Sequence, residues 1–196
     1  MNPMKKKTMR IMLSLLLVTV LVSAFSMTAF AAGVKIDAFA YMPAQEYGNA
    51  FSTFLAQNYG ANKTDRFRQG IRVGIITSAV YCEAASLVLR MFAKKLMRIF
   101  IPESKTEIIN IGVQYLHIEG AFYIGIGILF LLYGLYRAMG RPQMSLILTI
   151  ISLGTRVVIA KTVSVSDMPV SGIWWAVPIG WFLADTVGII CYLFYR

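Results

Sequence analysis

Gly120-Ala121-Phe122-Tyr123-Ile124-Gly125-Ile126-Gly127-Ile128-Leu129-Phe130-Leu131-Leu132-Tyr133-Gly134-Leu135-Tyr136 is a run of seventeen residues without one charged side chain. A water-facing helix would carry polar residues along one side. This run has no such stripe, and it sits in a longer apolar segment, 108–136, ample for the roughly 20 residues that cross a hydrocarbon core. Further apolar segments lie near 11–31, 37–59, 71–97, 143–163 and 172–195. A bilayer offers the backbone no water, so each segment is expected to be a helix. The fold class read from these runs is all-α: a polytopic transmembrane helix bundle of five to six spans.

Composition agrees. Hydrophobic residues make up 58% of the 196, charged residues only 14%, and the mean hydropathy is +0.66. Soluble domains carry nearer a quarter charged residues, so this chain has too few to cover a water-facing globule. The net charge of +10 does not point to nucleic acid, because the bases sit mostly in short breaks between apolar runs, where they set topology. Cys82 and Cys191 lie inside apolar runs without metal-ligand spacing and read as inert buried thiols.

The breaks carry turn chemistry: Asn58-Tyr59-Gly60-Ala61-Asn62-Lys63, Ile101-Pro102-Glu103-Ser104-Lys105, Gly140-Arg141-Pro142, and Ser164 to Gly172 with Asp167 and Pro169. With the N-terminus inside, the cytoplasmic bases are Lys5, Lys6, Lys7, Arg10, Lys63, Arg66, Arg68, Arg72, Arg137, Arg141 and Arg196. Lys35, Lys94, Lys95, Arg98, Lys105 and Lys161 fall outside, a count of eleven against six that favours both termini inside. The cluster Lys94-Lys95-Leu96-Met97-Arg98 fits this least well and reads as an amphipathic extension at the outer interface. Residues 1–32 form a signal-peptide-like or signal-anchor segment: basic to Arg10, apolar from Ile11 to Val22, then small residues ending in Ala29-Phe30-Ala31.

Several stretches from Val34 onward carry a family resemblance. They are Lys35-Ile36-Asp37-Ala38-Phe39-Ala40-Tyr41-Met42-Pro43-Ala44-Gln45, Ala56-Gln57-Asn58-Tyr59-Gly60-Ala61-Asn62-Lys63 with Asp65-Arg66, Gly134-Leu135-Tyr136-Arg137-Ala138-Met139-Gly140-Arg141-Pro142, Thr155-Arg156-Val157, and Gly172-Ile173-Trp174-Trp175 through Trp181. In this order they resemble the C-terminal lobe of the MATE transporters, the multidrug and toxic compound extrusion family, with the first pair similar to its eighth helix and following loop. The resemblance covers 33–196 as about five transmembrane helices and implies two six-helix lobes facing a central cavity. It also implies export of cationic or amphipathic compounds, coupled to Na+ or H+, from a multi-pass protein of the bacterial inner membrane. This chain has at most one such lobe, and its N-terminal segment does not read like the seventh helix. The expectation is therefore a truncated or rearranged product that needs a second lobe or a homodimer to enclose a cavity.

Ionisable residues within spans are costly and are functional candidates by default. Glu119 stands out, with Tyr115 and Tyr123 one helical turn to either side on the same face; a carboxylate there is equipped to bind a cation or exchange a proton. The blander reading gives Glu119 a hydrogen bond to a tyrosine or an ion pair with Arg156. Asp185, one turn after Trp181, could meet a cationic substrate, but pairing with Arg156 is the favoured expectation. Glu46, with Gln45 and Asn49, could line a polar wall or knit helices together. Asp37 beside Lys35 reads as a solvated boundary residue, Glu83 and Arg90 as mutually neutralising, and His117 as facing another side of its helix. The tryptophans read as interfacial anchors and packing.

No Ser-His-Asp set, metal motif or phosphate-binding loop is present, so enzyme activity has no support and no cofactor beyond a coupling ion is expected. A lipid-linked precursor flippase would need an arginine-rich cavity, whereas only Arg90 and Arg156 lie in spans. The readings that stand are a transporter lobe and a non-transporting membrane module.

Overall fold

The computed structural model describes residues 3–165 and 171–195, with side chains described from Ala29 onward except at 165 and 195. Among the described residues six helices follow one another: α1 (Pro3–Gly60), α2 (Thr64–Phe100), α3 (Thr106–Gly120), α4 (Tyr123–Ala138), α5 (Pro142–Val165) and α6 (Ser171–Tyr195). No strand occurs among the described residues, and the chain is an all-α helix bundle. Among the described residues α2, α5 and α6 are each long and apolar enough to cross a membrane, and α3 with α4 reach that length and hydropathy only when taken together as a bent pair. The side chains of most of segment 1–32, and the turn containing Asp167 and Pro169, lie outside the described residues.

Two boundaries differ from the sequence reading. Segments 11–31 and 37–59 run on as one helix, α1. The stretch Ala32-Gly33-Val34-Lys35-Ile36 between them has one glycine and no proline or capping residue to stop a helix. Conversely, segment 108–136 is not one helix: it breaks after Gly120 with a bend of 53°. There the ladder tightens, the Phe122 N–H donating to the Glu119 carbonyl at 3.0 Å, a three-residue step at a glycine.

The other turns follow their chemistry. Asn62 takes a positive φ of 55° after Gly60 ends α1, and Gly140 takes a φ of 70° between α4 and Pro142. In space α1 and α2 pack to one side, α5 and α6 to the other, with α4 touching all four. On α2 the inward stripe is Gly74, Ser78, Cys82, Ser86, Leu89, Ala93 and Met97. These mostly small residues let helices approach closely, as packing within lipid favours.

The closest crossing is α1 on α4. A β-carbon on Gly134 would sit 2.7 Å from the Gly48 carbonyl oxygen, and on Gly48 3.0 Å from that of Phe130. Backbone cannot yield as a side-chain tip can, so both positions need glycine. The bundle's outer surface is apolar: Phe39 is 72% exposed, Phe182 71% and Phe194 85%. In water that surface would be an aggregation liability; in lipid it is the ordinary face of a span.

Candidate functional site: a buried carboxyl pair at a broken helix

Asp37 is the acid that sequence reasoning misplaced. It is only 5% exposed, not a solvated boundary residue. The Tyr123 hydroxyl donates to its Oδ1. The helical register explains this: Ala29, Ala32, Ile36, Ala44, Phe51 and Leu55 mark the buried stripe of α1, and Asp37 falls beside Ile36 on it rather than with exposed Lys35.

Glu119, 2% exposed in the last turn of α3, lies within side-chain interaction reach of Tyr115 and of the Asp37 carboxyl. The structure thus brings together Tyr115, Glu119 and Tyr123, and adds Asp37 from a distant part of the chain. The three α3–α4 residues do not lie along one straight helix as expected. Tyr123 opens α4 beyond the bend, and its ring and hydroxyl still turn inward onto α1. Tyr115 is held edge-on between Phe30 at 5.4 Å and Trp174 at 5.9 Å. A β-carbon on Gly33 would meet its ring at 2.6 Å, so α1 presents a glycine where that ring lies.

Arg156 of α5 faces this group. Its guanidinium is within electrostatic reach of Glu119, Tyr115, Tyr133 and Asp37 and stacks 5.5 Å above the Trp181 ring. Its buried Nε has no hydrogen-bond partner. Two carboxyl groups therefore look toward one guanidinium. If both ionise, the centre carries one negative charge too many, in a place where unpaired charge is expensive. One bound cation or proton restores the balance. The available donors, carboxylates and tyrosine hydroxyls, are hard oxygens suited to a hard cation.

Asp185 does not pair with Arg156, contrary to expectation. It is 7% exposed and its Oδ1 is without a partner, while its Oδ2 approaches the place a β-carbon would occupy on Gly125 at 3.8 Å. The rotation of α6 directs the acid toward α4 instead, and α5 turns its arginine onto Trp181. Glu46 also lies apart. It is exposed on α1 and accepts from Asn49 Nδ2 at 3.3 Å, and Asn49 Oδ1 in turn accepts from Arg137 Nη2 at 2.9 Å. This chain knits α1 to α4 on the surface. Glu83 and Arg90 are both exposed, and no ion pair joins them among the described residues. His117 is exposed on the far side of α3. Trp174 and Trp181 are buried packing residues rather than surface anchors. Among the described residues no group of three or more His, Cys, Asp or Glu forms a metal cluster.

The family model MatE matches residues 7–162 of this chain. The chain belongs to the MatE family. Among MatE relatives, the Probable multidrug resistance protein YoeA of Bacillus subtilis is 28% identical over 146 residues, 74% of this chain and 31% of that protein. The Probable multidrug resistance protein YpnP, also of Bacillus subtilis, is 29% identical over 125 residues, 64% of this chain and 28% of its own length. Probable multidrug resistance protein NorM of Thermotoga maritima is 27% identical over 123 residues, 63% of this chain and 26% of its own. The MatE chain thus spans about three tenths of the length of the first of these relatives. MatE family members are multi-pass membrane transporters, which agrees with the apolar helices of this bundle.

Proposed function

We propose that this MatE chain forms the ion-binding lobe of a secondary multidrug transporter in the bacterial inner membrane. In this reading Asp37 and Glu119 bind the coupling ion, Na+ or H+, with Tyr115 and Tyr123 as oxygen ligands or proton partners. Arg156 leaves the site one positive charge short. The observation that carries the reading is the burial of two carboxyl groups against each other beside a broken helix. Intramembrane acids facing a bundle interior mark ion pathways, and discontinuous helices recur at transporter ion sites. The cargo is a cationic or amphipathic compound.

Work is done by differential affinity: the ion binds one arrangement of the helices more tightly and so shifts which is populated. A single lobe cannot enclose a cavity open alternately to two sides. Export therefore requires a second lobe or a second copy of this chain.

The test is dye export in a pump-deficient bacterial host. The chain expressed alone is expected to leave dye accumulation at the level of the empty host. Co-expression with a complementary six-helix MatE lobe is expected to lower it. Unchanged accumulation with the partner present would favour a non-transporting membrane module.

A further inference from the structure

At the α1–α2 end of the bundle, α2 and α6 are not packed against one another, and a groove lies between them. Its wider part, about 730 Å³, is lined by Arg68, Arg72, Ile75 and Ile76 of α2 and by Tyr192 of α6. Arg68 and Tyr192 also line an adjoining cavity of about 370 Å³ that reaches Lys63 in the turn before α2. The groove therefore changes character along its length. Among the described residues that line it, the outer end has three cations and no acid, and the inner end is isoleucine. Arg68 and Arg72 are exposed, and neither is ion-paired among the described residues. Their spacing with Ile75 and Ile76, four and then three or four residues, sets all of them on one face of α2.

We infer that this groove binds an anionic phospholipid, its phosphate between Arg68, Arg72 and Lys63 and its first acyl carbons along Ile75 and Ile76. The graded polarity selects this occupant. A soluble anion has no use for the isoleucines, and an uncharged lipid has none for three unpaired cations. Basic pockets between transmembrane helices at the cytoplasmic surface are suited to anionic headgroups, and tyrosine is at home at that depth. The Met139 turn also borders the smaller cavity, so the α4–α5 turn lies at the same end. The site is separate from the buried carboxyl pair and does not depend on transport.

The experiment uses the whole chain in an uncharged detergent, with bound lipid counted by native mass spectrometry during titration with phosphatidylglycerol. Phosphatidylcholine serves as the uncharged probe and inorganic phosphate as competitor. Phosphatidylglycerol is expected to bind about tenfold or more tighter than phosphatidylcholine. Each arginine near an anionic headgroup is worth about a fivefold change, so Arg68→Gln with Arg72→Gln should weaken binding about thirtyfold. Arg72→Lys, which keeps the charge, should retain most of it, and Lys94→Gln with Lys95→Gln at the opposite end of α2 should change nothing. Equal affinity for the two lipids, an unaffected double arginine variant, or an equal loss in the lysine control would overturn the inference. Displacement of the lipid by inorganic phosphate would overturn it too, by making the groove a site for free anions.

Discussion

Glu119→Gln, placed in a transporter assembled from this chain and a complementary lobe, is expected to bring coupled export down to the level of the host without a pump. Glutamine keeps the size and hydrogen-bonding capacity of the side chain but can neither hold a cation electrostatically nor release a proton. An ion with no preference between two arrangements shifts neither, so the gradient loses its grip on the protein. Asp37→Asn is expected to act the same way, because the two buried carboxyls are neighbours across α1 and α3. Glu46→Gln, on the exposed surface of α1, should leave export near its original level. Dye accumulation, measured with the sodium and proton gradients collapsed in turn, reads all three. Gradient-driven export persisting in Glu119→Gln would remove that residue from the coupling site.

Arg156→Leu is expected to cost about 2–3 kcal/mol of stability, read from unfolding of the chain in detergent. Breaking a buried contact pair typically costs about 3–5 kcal/mol. The smaller figure applies because Arg156 is only partly buried and no salt-bridge contact ties it to either acid among the described residues. The loss arises from two carboxyl groups left without a facing cation, so Arg156→Leu combined with Glu119→Gln should recover most of it. If the combined variant were less stable than Arg156→Leu alone, the arginine would be acting through its packing on Trp181 and not through charge.

The helical architecture was legible because it depends on local properties: apolar run length, proline at Pro142, and the Gly60 and Asn62 turn. Glu119 was legible for the same reason, as a lone acid in an apolar segment flanked by tyrosines. Its partner was not. Asp37 stands two residues after a lysine, and only the register of α1 against α4 shows that one of these neighbours points inward and the other out. The Asp185–Arg156 pairing failed on the same ground: both residues are inside the bundle, but the rotation of α5 and α6 about their axes separates them. The break after Gly120 left a weak trace, since the segment contains no proline and four glycines between Gly120 and Gly134 inclusive. Both halves pack against α1, a long-range contact that no local window contains. The unbroken course of α1 through Lys35 is the converse case: segments 11–31 and 37–59 read as separate runs, and no helix-stopping residue lies between them.

Ion coupling at this centre requires Asp37 and Glu119 to form one site, and a double-mutant cycle on unfolding free energy tests this without any assay of transport. Asp37→Asn, Glu119→Gln and the double variant of the whole chain would be unfolded in the same detergent. Residues that share a hydrogen-bonded network are expected to depart from additivity by about 0.5–3 kcal/mol. Effects that add to within about 0.3–0.5 kcal/mol would mean that the two carboxyls act independently, and the coupling site drawn between α1 and α3 would not exist.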